Sequence, residues 1–251
     1  MSEEIKETKV ETQKTKKRFF NADVIETITV VLLGITALLT AWASYAGSIH
    51  GGNQATNYAK SNNIAADGNS RYNEANQKLV QDMDVWSRVT ELELEVLTAE
   101  VTEDEMAEFE AVYKLKWLCE DSLAPYIAEI VGWDNNFTDD QVVDWVMNDE
   151  RATASPFADE EFLNSYYEDA MSVLAESEEV LKQGQQDNAN GDSFTLVTVI
   201  YSVVLFLLGI VGVFKKETNK TIVLIISFVG LVAAFVFMCT IPLPTSGGIF
   251  G

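Results

Sequence analysis

The chain has 251 residues but only one histidine and two cysteines. His50 alone excludes metal motifs that pair histidines, and Cys119 and Cys239 lie in different environments, so neither a disulfide framework nor a thiolate metal site is expected. The sequence has no Gly-x-Ser-x-Gly turn for a nucleophilic serine and no Gly-x-x-x-x-Gly-Lys loop for phosphate. Carboxylates are abundant, but nothing singles out a pair. No catalytic residue, metal or cofactor is assigned, and the protein is read as no enzyme. Basic residues are also scarce, 17 against 39 acidic, for a formal charge of −22. That balance excludes a nucleic-acid partner, whose phosphates need a basic surface. No stretch alternates as a half-buried strand does, so the fold is expected to be all-α.

Three long apolar runs are present. Val24–Ala46, Phe194–Phe214 and Thr221–Cys239 each approach the roughly 20 residues a helix needs to cross a bilayer. Membrane lipid is therefore the first expected partner. Lys14, Lys16, Lys17 and Arg18 precede the first run, and Lys215, Lys216 and Lys220 fill the short loop between the second and third. Short basic segments stay in the cytoplasm. The expected protein is multi-pass in the cell membrane, with residues 1–20 as a disordered cytoplasmic tail and residues 48–192 outside. The loop 215–220 is then inside and the tail 240–251 outside. Lys16-Lys17-Arg18, an apolar run and Ala41-Trp42-Ala43 also resemble a signal peptide with its cleavage site. The run is longer than a usual signal core and opens with Asp23 and Glu26, which favours a retained anchor.

Residues 48–192 hold 32 acidic and eight basic side chains. Such charge keeps an exposed helical domain soluble, and it also attracts inorganic cations. Gly47, Gly51 and Gly52 permit a bend or break after the first span. Beyond them Tyr58, Ala65, Tyr72, Leu79 and Trp86 recur every seven residues, followed at three residues by Ser61, Gly68, Ala75, Asp82 and Val89. A seven-residue repeat marks a helix packed along one seam, here an oligomer seam candidate. Thr102-Glu103-Asp104-Glu105 and Thr138-Asp139-Asp140-Gln141 read as capping boxes, and Ser155-Pro156 as a helix start. They predict helices near Glu103–Val131, Asp139–Asn148 and Pro156–Gln186. Phe109, Tyr113, Trp117, Tyr126, Trp133, Phe137, Trp145, Phe157, Phe162, Tyr166 and Tyr167 are expected to form a compact distal core. Asp187 to Asp192 reads as a polar break before the second span. The helices on either side are expected to form a long stalk. Asp134 to Asp140 is dense in oxygen ligands but lacks the EF-hand spacing, so a turn before the Thr138 cap explains it.

The first span carries the main functional hint. Glu26, Thr29, Leu33, Thr36, Thr40, Ala43 and Gly47 share one helix face, with Ser44 and Thr27 beside it. Two readings stay open. In one, several subunits bring this face to a common axis and line a cation path with a ring of Glu26 at its mouth. In the other, small and hydroxyl residues simply pack membrane helices together. The stripes suggest a homo-oligomer. The protein is then either a cation channel with the first span lining the pore, or a non-conducting scaffold whose acidic domain holds a partner.

The stretch from Leu33 to Ala46, ending Thr40-Ala41-Trp42-Ala43-Ser44-Tyr45-Ala46, is followed by Gly51-Gly52-Asn53-Gln54-Ala55. A second stretch runs Gly184 to Val199, with Val204 to Ile210 after it. Together they resemble a group of uncharacterised prokaryotic three-span membrane proteins, in which an Ala-Thr-x-x-Thr-Ala-Trp-like span precedes a polar Gly-x-Gln-Ala helix. The likeness covers both membrane-proximal ends and hardly the distal helices. Ile49-His50 stands where a tryptophan is expected. The resemblance implies a shared three-span architecture and no particular activity.

Overall fold

The computed structural model describes residues 22–148 and 155–244. Among them every regular element is helical: α1 (Ala22–Thr102), α2 (Glu105–Ser122), α3 (Pro125–Val131), α4 (Asp139–Val146), α5 (Glu160–Ser165), α6 (Glu168–Ile210) and α7 (Glu217–Thr240). Single 3-10 turns lie at Pro156–Ala158 and Val211–Val213. α1, α6 and α7 each contain a stretch long and apolar enough to cross a membrane. The chain divides into two compact units. The first comprises residues up to Thr56 and from Gln183 onward, and the second Asn57–Lys182.

The first unit holds all three candidate spans. Its interior is small or branched on α1 (Ile25, Ala43, Ala46) and larger on α6 (Phe194, Val197, Tyr201, Val204, Leu208), with Leu224, Leu231, Ala234 and Met238 from α7. The outward side chains, among them Val30, Leu38, Phe206 and Val236, are apolar too. That pattern suits lipid, which is as apolar as leucine and leaves packing and small residues to hold helices together. Gly230 makes room at one contact, since a Cβ there would sit 3.1 Å from Val204. After the turn at Val211–Val213, only Phe214–Lys216 separate α6 from α7, so the two lie antiparallel.

α1 does not break at its glycines. It runs as one helix of 81 residues through Gly47, Gly51 and Gly52. Packing decides this: a Cβ on Gly47 would lie 3.3 Å from Phe194 Cβ and 3.6 Å from the Gly191 carbonyl, so glycine lets α1 and α6 come close. Gly51 and Gly52 face no atom within 4 Å. Each costs its helix about 1 kcal/mol relative to alanine. Gly51→Ala and Gly52→Ala are therefore expected to stabilise the protein by about 0.5–1 kcal/mol each, read as a rise in thermal midpoint. Gly68→Ala is expected to do the reverse. Its Cβ would meet Leu174 Cγ and Cδ2 at 2.8 Å and the Leu174 nitrogen at 3.3 Å. Overpacking of about 1–3 kcal/mol outweighs the propensity gain. A higher midpoint for Gly68→Ala contradicts this account.

The second unit is built around Trp86, Val89 and Val96 of α1. Onto these pack Val112, Leu115 and Leu118 of α2, Ile127 of α3, and Val142, Trp145 and Val146 of α4. Trp133 meets Trp145 edge-on at 5.0 Å, and Trp145 Nε1 donates to the Val131 carbonyl at 3.1 Å. Gly132, at φ 67°, ends α3 in the left-handed conformation that costs glycine least. Lys116 ties α2 to Asp139 of α4 at 3.0 Å.

Local signals place some boundaries and miss others. Thr138 caps α4 with the full reciprocal box, and Ser155 accepts from Phe157. At the other predicted box, α1 ends on Thr102 and Asp104 caps α2, with Glu103 between them at φ 54°. The helix predicted over Glu103–Val131 is two, because Pro125 cannot continue α2 and starts α3 instead. The helix predicted over Pro156–Gln186 begins as a 3-10 turn and α5, and α6 then continues unbroken through Asp187–Asp192. Its polar residues there find partners within the first unit. The cytoplasmic tail expected over residues 1–20 lies outside the described residues.

Candidate functional site

The face proposed as a pore lining is largely spent inside the chain. Thr36 and Ala43 have 0 % exposure, Thr29 is buried, Leu33, Thr40 and Gly47 are half-buried, and Glu26 is exposed. The threonine hydroxyls donate to carbonyls of their own helix, Thr29 to Ile25, Thr36 to Leu32 and Thr40 to Thr36, at 2.7–2.8 Å. A hydroxyl bonded to the carbonyl four residues back is satisfied without water, which suits a packed apolar interior. Within the single chain, the middle of this face is covered, while Glu26 at its start is exposed.

The heptad seam meets partners within the second unit, and its smaller series is the more deeply placed. Ser61 and Ser177 each donate to the other's carbonyl at 2.9 Å, and Gly68 receives Leu174. Tyr72 lies 4.9 Å from Tyr167, whose hydroxyl donates to Asn76 at 2.8 Å. Trp86 is buried in the core, while Tyr58, Ala65 and Leu79 are half-buried and Tyr72 is exposed. The partner of this seam is α6 together with the distal helices.

Asp82 belongs to the same seam and holds a cluster of hydroxyls. Tyr166 donates to its Oδ2 at 2.8 Å, Tyr126 donates to the same oxygen, and the two phenol oxygens are 3.2 Å apart. Burial, then the bond to Asp82, raises the Tyr166 phenol above its ordinary range. A folded-state value above the unfolded one means the native state holds its proton longer. The stability it lends is therefore whole below about pH 10, the ordinary phenol value, and is lost as pH rises above it. Tyr166→Phe is expected to flatten the alkaline fall in thermal midpoint, and an unchanged slope rejects that role. The Asp134 carboxylate, read as a turn, accepts from the Asn136 amide at 2.9 Å and from its Nδ2 at 2.8 Å. These bonds hold it below the usual carboxylate range.

Two further features stand out. One is a buried polar cluster in the first unit. His50, 2 % exposed, sets Nδ1 2.9 Å from Asp187 Oδ1 and Nε2 3.1 Å from the Pro242 carbonyl. Phe194 stacks on the ring at 5.8 Å. Asp187 is 5 % exposed, and the neighbouring Asn190 accepts from Gln186 at 3.0 Å. The Pro242 carbonyl can only accept, so its contact is a hydrogen bond when the proton sits on Nε2. The group ties α1, α6 and the segment after α7 at one end of the spans. In the sequence alone, His50 serves only to exclude metal motifs and Asp187 reads as part of a break. The usable signal was one histidine and one aspartate just beyond the same end of two antiparallel spans.

The other feature is the surface of α2. Ala111, Val112, Leu115, Leu118 and Cys119 turn inward. Met106, Phe109, Tyr113 and Trp117, spaced by three, four and four, lie opposite and are 61–75 % exposed. The distal core therefore forms without Phe109, Tyr113 and Trp117, because α2 already presents a complete apolar face to it. Beside Tyr113 and Trp117 a groove of about 350 Å³ runs along Arg88, Glu91 and Glu95 of α1. Among the described residues no group of three or more His, Cys, Asp and Glu is arranged to hold a metal ion. Comparisons with family models, curated proteins and solved structures return no match.

Proposed function

We propose that the protein is a non-conducting membrane anchor that presents an acidic helical head, outside the cell membrane, to a protein partner. The observation that carries this reading is the fate of the threonine face. Thr36 and Ala43 are buried against the chain's own helices. A cation path needs polar groups open to water along its length. The hydroxyls of Thr36 and Thr40 are bonded to their own helix, and most large exposed side chains along the spans are Val, Leu, Ile and Phe. The basic loop Lys215–Lys220 supports the orientation, with the head on the opposite side.

The test is cation flux in liposomes carrying the purified chain. The expected result is flux equal to that of protein-free liposomes across voltage, calcium and membrane tension. Flux above that background restores the channel reading and removes this one.

A further inference from the structure

We infer that the exposed face of α2 is a docking surface for a cationic amphipathic segment of a partner protein. The inference rests on the anchor-and-head reading and names the surface and the chemistry of what it holds.

α2 is apolar on two opposite sides, and only one is covered. Met106, Phe109, Tyr113 and Trp117 follow the spacing by which a helix engages a partner through one face. Tryptophan and tyrosine are the side chains that most often dominate such contacts. In a segment as charged as this one, four large apolar side chains in water call for a cover.

Charge selects the cover. From Arg88 to Asp121 the sequence holds 11 acidic and three basic residues. All three cations are already engaged: Arg88 with Asp84 at 3.1 Å, Lys114 with Glu110 at 2.8 Å and Lys116 with Asp139 at 3.0 Å. The carboxylate surplus is dense enough to act on itself. The Glu108 carboxyl is raised above its ordinary range, by partial desolvation first and then by Glu100, Glu105 and Asp140. A second copy would set one carboxylate rim against another with no free cation between them. An anionic lipid surface is repelled in the same way. A segment with leucine or tryptophan on one side and lysine or arginine on its flanks satisfies both parts of the surface. Its cations also find the ring faces of Tyr113 and Trp117.

The test uses the full chain in nanodiscs of zwitterionic lipid, with empty nanodiscs subtracted. The probes are two amphipathic helical peptides of about 18 residues that share a Leu/Trp face. One carries Lys and Arg on its polar side and the other Glu. The basic peptide is expected to bind, less tightly as salt rises, and the acidic one not to bind. The double variant F109S/W117S should weaken the basic peptide by at least about tenfold. Both side chains are exposed, so its thermal midpoint should hold. V80S, at another exposed apolar position, should change nothing. Three results overturn the assignment: no binding of the basic peptide, equal binding by F109S/W117S, or equal binding of the acidic peptide. Self-association of the chain that F109S/W117S abolishes also overturns it, in favour of a second copy. None of these bears on the anchor reading, which stands or falls on flux measured without peptide.

Discussion

His50→Leu is expected to destabilise the protein by about 2–3 kcal/mol. The physical reason lies in what stays behind. Asp187 is 5 % exposed and its Oδ1 lies 2.9 Å from Nδ1. Leucine fills the ring's volume against Phe194 but removes the Nδ1 contact to that oxygen, and the Pro242 carbonyl loses its contact to Nε2. Removing one partner of a buried polar contact costs more than replacing both by apolar groups. The double variant His50→Leu/Asp187→Leu should therefore recover most of the loss, with a coupling of about 2–3 kcal/mol in the mutant cycle. The check is equilibrium unfolding of all four proteins in one detergent. Additive single effects would show that the two side chains do not act as a pair.

Thr36→Trp should disrupt the bundle rather than block a current. Thr36 has no exposure, and its hydroxyl already serves the Leu32 carbonyl at 2.7 Å. An indole there must push α6 or α7 aside. Forcing extra volume into a packed core costs about 1–3 kcal/mol, and here the insertion is several heavy atoms, so about 3 kcal/mol or more is expected. The lipid-facing control Leu38→Trp, at a position 74 % exposed, should cost little. Thermal midpoints in detergent decide between them. A Thr36→Trp protein as stable as the parent would mean the position opens onto free space, and the buried-face account would fail.

The architecture was legible where the signal is local or simply long. Apolar runs of membrane length appear as three helices, and the Thr138 box and the Ser155 cap sit where their side chains and following residues put them. The misses share one cause: partners far away in sequence. Glycine at 47 reads as a hinge until Gly191 and Phe194 are seen to need the space. For Thr29, Thr36 and Thr40 periodicity leaves both pore and packing open, because it shows that residues share a face and not what lies opposite. Phe109, Tyr113 and Trp117 were assigned to the core by residue type, yet α2 carries two apolar faces and only contacts reveal which is covered. Pro125 is a plainer omission. A proline in the middle of an expected helix was enough to split it.

The third member of the His50 cluster is main chain. Nε2 meets the carbonyl oxygen of Pro242, which any residue at that position would also supply. Among related sequences, drift at 242 should therefore be cheap as long as the backbone keeps its path. Histidine 50 and aspartate 187 have no such freedom. A lineage losing one loses the buried contact between α1 and α6, so the two are expected to change together, as a covarying pair 137 positions apart.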